Sequence, residues 1–237
     1  MDIDIEAAVT YPTESDDWVL TVLIGGILAL FSFLLLPLFL VTGYIVRVIR
    51  AGIADDPAPP TFDDWGTLLV EGFVGFVVTL VYQLVPLIVL GVTVGGSILA
   101  LLTGSEVGAG LGIFGLLGGM SLGLILSVVF GYFGVVGLAN YAHERRFGAA
   151  FDVGLVRSVA LDGDYAVPFF YGVALLLAAA VVTSVFSFIP FLGQIVGVFV
   201  TFYAQIGASR LWGLGYAASR DLAGDRDSGI DDATTVV

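Results

Sequence analysis

Cysteine is absent from this 237-residue chain. Disulfides, thiol redox chemistry and thiolate metal sites are therefore excluded. Lysine is absent too, because all eight basic residues are arginine. Charge of either sign is scarce at 12% of residues, and it leans acidic, with a formal net charge of −13. An excess of that sign repels nucleic acid, so no nucleic-acid partner is expected. Catalytic signatures are missing as well. There is no Walker A pattern, no G-x-S-x-G elbow, no H-E-x-x-H and no GxGxxG between a strand and a helix. His143 is the only histidine. Together with Glu144 it falls short of the three or four ligands that zinc needs. Asp63 and Asp64 have no third carboxylate at a matching spacing, and helix capping accounts for them. No catalytic, cofactor-binding or metal residue is assigned, no cofactor is called for, and the chain is read as not an enzyme.

What is present is grease. Hydrophobic residues make up 58% of the chain, and the mean hydropathy is +1.04. Soluble domains sit at about 45–50% apolar. One ordinary core cannot hide such an excess, because a domain of this size still shows much of its surface to water. A surface in contact with lipid removes the conflict. The charged residues fall in the gaps between long apolar runs, as expected where the gaps are wet. The acidic, lysine-free balance resembles that of proteins from salt-loving archaea. The N-terminus lacks the positive start of a signal peptide, so the first apolar run is expected to stay in the protein.

Five runs are long enough to cross a bilayer, which takes ~20 residues. They cover about 18–45, 67–102, 111–141, 166–189 and 191–216. An acidic tail, 1–17, precedes this helical domain of 18–216, and an acidic, disordered tail, 217–237, follows it. Pro37 introduces a kink in the first run, which membrane helices tolerate. Three prolines forbid a helix through the linker Ala54–Trp65. Pro86 lies inside the second run, which is read as one kinked helix; a split there makes six spans. Pro190 marks a tight turn between the last two runs. Phe151, Leu155 and Val159 recur every four residues and describe a short amphipathic helix lying on the membrane. The fold class is all-α: a polytopic transmembrane bundle of about five spans with a short interfacial helix. The two halves look weakly alike, each carrying an acidic linker that closes on an aromatic (Trp65, Tyr165). Diverged duplication and chance likeness explain this equally.

Five crossings put the termini on opposite sides. With the N-terminus outside and the C-terminus cytoplasmic, the arginine-bearing segments face the cytoplasm, as the positive-inside rule asks. Two ionisable residues fall inside the spans, Glu71 and Arg210. They are expected to form an intramembrane ion pair, because a lone charge in lipid costs ~3 kcal/mol. Arg47, Arg50, Arg145, Arg146 and Arg157 are candidates for lipid-headgroup contact. Tyr82, Gln83, Asn140, Gln194, Tyr203 and Gln205 are the polar residues of the spans, and hydrogen bonds between helices are their expected use. Gly91 with Gly95, Gly115 with Gly119 and Gly123, and Gly193 with Gly197 recur at a spacing that lets helix backbones approach closely. Such stripes serve packing within the chain or contact with a second copy.

The segment GYIVRVIRAGI…PTFDDWGTLLVEGF…YQLVPLIVLG, from Gly43 to Gly91, resembles an archaeal (haloarchaeal) membrane family known only as a domain of unknown function, of the 4013 type. The RSVALDGDY stretch and the paired final helices are similar to that family's second half. The likeness covers roughly 18–220. It implies an α-helical membrane fold and brings no substrate, so no functional residue carries over. The expected role is a structural, scaffolding or lipid-interacting component of the cell membrane. Its expected partners are membrane lipids, a second copy or other membrane proteins. The alternative is a transporter or channel subunit with a polar pathway near Glu71 and Arg210.

Overall fold

The computed structural model describes residues 5–186, 188–189 and 191–234, with no side-chain detail for 221–234. Among the described residues every regular element is helical, so the all-α expectation holds. Five helices are long and apolar enough to cross a membrane: Leu35–Ile53, Trp65–Leu102, Glu106–Glu144, Gly163–Phe186 and Leu192–Arg220.

Two short helices come first, α1 (Ile5–Thr10) and α2 (Trp18–Leu30), followed by α3 (Leu35–Ile53). The sequence places one span over 18–45, and the structure breaks it. Proline has no N–H, and its ring collides with the carbonyl four residues back. A helix running straight through Phe33 to Pro37 would forfeit the hydrogen bond to that carbonyl. The chain turns at Phe31–Leu34 instead, and Pro37 falls in the first turn of α3. Pro86 has no such effect, since α4 (Trp65–Leu102) runs unbroken through it as one helix. The remaining helices are α5 (Glu106–Glu144), α6 (Val153–Ala160), α7 (Gly163–Phe186) and α8 (Leu192–Thr234). The turn expected at Pro190 lies outside the described residues. The backbone of α8 stays helical past Tyr216, where the sequence suggests a disordered tail. No proline interrupts Ala217–Thr234, so nothing in the chain forces a stop there.

The chain divides into two compact units. The first comprises Met1–Phe76 and Val136–Val237. Glycine sets its packing. A Cβ on Gly43 of α3 would collide with the backbone oxygen of Leu68, and one on Gly72 of α4 with that of Phe39. These helices cross antiparallel, backbone on backbone. On another face of α3, Gly52 meets the backbone of Arg210 in α8, while Gly213 of α8 meets the backbone at Ile49. Tyr44 of α3 also lies beside Phe202 of α8, with ring centroids 5.6 Å apart. The pairs 44–202 and 52–210 rise together, so α3 and α8 run parallel. Helix α2 runs the other way along α8, with Gly25 against Phe202 and Gly26 against Phe199. Helices α7 and α8 pair antiparallel, from Pro168 beside Gly215 to Thr183 beside Gly197.

Because α2 and α3 form a hairpin, the N-terminal segment sits at the same end of this unit as the last turns of α3. Tyr203 donates to the Val9 oxygen at 2.7 Å, and Gly207 packs on the Ala8 backbone. The first run read over 18–45 is thus two helices joined by a turn.

The second unit is Val77–Val135, the remainder of α4 and α5. Gly115, Gly119 and Gly123 of α5 lie against Ser97, Thr93 and Leu90 of α4. Gln83 donates to the Ser127 oxygen at 3.3 Å. Its only ionisable acid or base is Glu106, at the start of α5.

Candidate functional site

Chemistry-bearing residues gather at the end of the first unit where α3 finishes, α4 begins and Arg210 of α8 lies. Arg47 and Arg50 are three residues apart on α3, and residues at that spacing share a helix face. Both point at Glu71 on α4. Arg47 Nε lies 3.3 Å from Glu71 Oε2, and Arg50 Nη2 lies 2.8 Å from Oε1. Glu71 is buried, with its side chain 11% exposed, against 12% for Arg47 and 22% for Arg50. Each arginine has a further partner. Arg47 Nη1 donates to Asp63 Oδ1 at 2.6 Å and to the Asp63 carbonyl at 3.0 Å. Arg50 Nε donates to the Ala142 carbonyl near the end of α5 at 2.8 Å. Two guanidinium groups thus face two carboxylates, and four pieces of chain are tied at one point.

Glu71 and Arg210 do not pair, contrary to the expectation from sequence. Arg210 of α8 reaches Asp55 Oδ1 at 3.3 Å and the Asp56 carbonyl at 3.0 Å. Its guanidinium also lies 4.0 Å above the Tyr11 ring, a cation–π arrangement. The expectation fails because it treats Arg47 and Arg50 as wet headgroup contacts, which leaves Glu71 short of a partner. Both face inward, so the headgroup role is withdrawn for them. Arg145, Arg146 and Arg157 are exposed as that role requires, although Arg146 already holds Glu144 at 3.1 Å. Arg145 takes a left-handed φ of 56° and ends α5, its N–H donating to the Tyr141 oxygen.

Tyr11 donates to the Ala58 carbonyl at 3.1 Å. Burial pushes its phenol up to about 12, against a smaller lowering by Arg210. Asp64 is held below the usual carboxylate range by its hydrogen bonds to Thr67 at the start of α4. A third polar cluster joins α5 to α8. Tyr216 donates to Asn140 Oδ1 at 2.7 Å, and Asn140 Nδ2 donates to the Ala149 carbonyl at 2.7 Å. His143 lies beside Tyr216, ring centroids 6.1 Å apart. Gln83, Asn140 and Tyr203 serve contacts between segments, as expected, whereas Gln205 donates to Ser209 of its own helix at 3.4 Å.

Glycine expectations divide. Gly115, Gly119, Gly123 and Gly197 pack against neighbouring helices, whereas Gly91 and Gly95 have nothing within 4 Å of an added Cβ. Those two therefore make no close packing contact among the described residues. Gly193 is buried. The closest crossings, at Gly43, Gly72, Gly52 and Gly213, carry no four-residue repeat and escape a search for one. The spacing of Arg47 and Arg50 is the signal that identifies the clasp. Tyr11 and Asp55 carry no such signal.

Among the described residues no group of three or more His, Cys, Asp or Glu could hold a metal ion. Each oxygen of Glu71 lies within ion-pair distance of an arginine, so the carboxylate fastens α4 to α3. An all-helical chain with five helices of spanning length, fastened by an internal charge cluster, defines a polytopic helical membrane protein. The chain belongs to the family described as Protein of unknown function (DUF4013), whose model matches residues 27–192. No curated protein and no solved structure matches the chain.

Proposed function

We propose that the protein is a non-enzymatic structural or scaffolding component of the cell membrane, working through contact with lipids and neighbouring membrane proteins. One observation carries this reading: Glu71, the buried acid of the spans, has both oxygens committed to Arg47 and Arg50. An acid held between two arginines of a neighbouring helix is fixed in place, which supports a fastening role. The transporter alternative needs Glu71 and Arg210 to converge on one pathway, and their separate partners weaken it.

The positive-inside rule supports a cytoplasmic arginine-bearing end, the C-terminal end of α3 and α8 included. The packing of Ala8 and Val9 on α8 supports placing residues 5–13 on that same side, in place of an external N-terminus. A lysine-free, acidic composition supports a salt-loving archaeal source. Lipids are the first partners; open space at Gly91 and Gly95 is consistent with a second copy or another membrane helix as a further one.

The test is reconstitution into sealed liposomes loaded with a pH-sensitive dye. The expected result is proton and cation leakage equal to that of protein-free liposomes. Flux above that background, abolished by Glu71→Gln, would reject the scaffold in favour of transport.

A further inference from the structure

Of the two legs of the α2–α3 hairpin, α2 is too short to cross a bilayer, and α3 reaches spanning length only by counting the turns that carry Arg47 and Arg50. Helix α2 has 13 residues, about 20 Å at ~1.5 Å each. The charge-free part of α3, Leu35–Val46, is about 18 Å long by the same rise. A hydrocarbon core is about 30 Å thick. Both outer ends of the hairpin lie at the arginine-bearing end, where Tyr11 sits under Arg210 and Gly52 packs on the Arg210 backbone. The inner end is therefore the turn Phe31–Leu34.

That turn has the chemistry of a segment that never meets water. Phe31, Phe33 and Leu34 are 45%, 77% and 50% exposed, and no charge lies between Trp18 and Val46. Its donors are largely satisfied by the chain itself. Phe31 N–H donates to the Ile27 oxygen, Ser32 N–H to Ala29, Leu34 N–H to Phe31 and Leu38 N–H to Leu34. The one polar side chain, Ser32, donates to the Leu28 oxygen at 3.2 Å. Pro37 removes another N–H from the first turn of α3, where helix donors are otherwise orphaned. Backbone groups at membrane depth need partners within the protein, and these bonds supply them for most donors of the turn.

The starts of α4, α5, α6 and α7 differ in kind, whereas α2 too begins without a side-chain cap bond. Asp64 accepts from Thr67 N–H at α4, Asp152 from Leu155 N–H at α6, and Asp162 from Asp164 N–H at α7. In the second unit Ser105 Oγ accepts from Gly108 N–H at α5. Those starts carry polar caps suited to water. Helix α3 starts at Leu34 with no side-chain cap.

We propose that α2 and α3 form a re-entrant hairpin, which enters from the arginine-bearing side, turns in hydrocarbon at Phe31–Leu34 and returns to the side it came from. Its contact partner is the acyl-chain interior of the bilayer, met by Phe31, Phe33, Leu34, Leu35 and Leu36. The inference rests on the membrane reading above and deepens it.

A cysteine-free chain makes the test direct. Single variants Asp16→Cys, Phe33→Cys, Leu35→Cys, Ser158→Cys and Glu106→Cys are placed in sealed vesicles and treated with a membrane-impermeant maleimide, before and after permeabilisation. Ser158→Cys and Glu106→Cys report the two aqueous faces, and their labelling on opposite sides checks the multi-pass reading separately. The expected result is that Asp16→Cys labels with Ser158→Cys, while Phe33→Cys and Leu35→Cys label from neither side. A fluorophore attached at either buried cysteine is expected to be quenched most by lipids spin-labelled deep in the acyl chain. Labelling of Asp16→Cys with Glu106→Cys, or of both Phe33→Cys and Leu35→Cys from water, would overturn the hairpin.

Discussion

Removing Glu71 tests the clasp most directly. In Glu71→Ala, Arg50 loses its contact at 2.8 Å and keeps only the Ala142 carbonyl, while Arg47 loses its contact at 3.3 Å and keeps Asp63. Breaking a buried pair costs ~3–5 kcal/mol, because the surviving charge is left uncompensated. Retained partners and some solvent at both guanidinium groups reduce this. The expected loss is about 2–3 kcal/mol, roughly a 30- to 150-fold shift in the unfolding equilibrium. Asp63 is 72% exposed, so Asp63→Ala should cost less than ~1 kcal/mol. Reversible unfolding in mixed micelles, followed by circular dichroism, supplies the numbers. A double-mutant cycle of Glu71→Ala with Arg50→Ala should show a coupling of about 1–2 kcal/mol, and the cycle with Arg210→Ala should be additive within about 0.5 kcal/mol. A cycle with the opposite pattern, or an Asp63→Ala loss as large as that of Glu71→Ala, would refute the assignment of Glu71 to the α3 arginines.

Other outcomes follow from the same geometry. Gly43→Ala and Gly72→Ala each push a methyl into backbone that cannot yield, so each should cost ~2 kcal/mol or more, whereas Gly91→Ala and Gly95→Ala should be neutral or stabilising by up to ~1 kcal/mol. Thermal unfolding of the four variants side by side checks this contrast. Tyr216→Phe strips Asn140 Oδ1 of its buried donor and should cost about 1–3 kcal/mol in the same assay. Burial raises the Tyr11 phenol to about 12. A raised folded value means that the stabilisation from keeping this group neutral is complete below its ordinary value of 10 and is lost as pH rises from there towards 12. Tyr11→Phe should therefore flatten the alkaline stability profile, with the tyrosinate absorbance difference as its readout.

Hydropathy made the helical class legible, since runs such as those around Leu90 and Leu175 have only one plausible solvent. The count of long helices followed for the same reason. The break near Phe31 was harder to read. Pro37 is compatible with either a kink or a stop, and the choice depends on whether Phe33 can spare its carbonyl. The clasp was partly legible, because Arg47 and Arg50 share a helix face. It was misassigned because a charge near a helix end reads as wet unless a neighbour is known to cover it, and that neighbour, Glu71, arrives from another helix. Gly43 with Gly72, and Gly52 with Gly213, could not be read at all. Close approach is a property of two helices together, and neither strand of sequence marks it alone.

The double use of α3 bears on how the chain is made. Arg47 leaves the ribosome 24 residues ahead of Glu71, a delay of about 1–5 s at ~5–20 residues per second. During that interval the two guanidinium groups have no acid from α4 to meet. The seat for Gly52 comes far later, since Arg210 follows Asp55 by 155 residues. An unfinished chain therefore holds α3 by one side only, and a nascent product truncated before α8 should be a preferred substrate for membrane quality-control proteases.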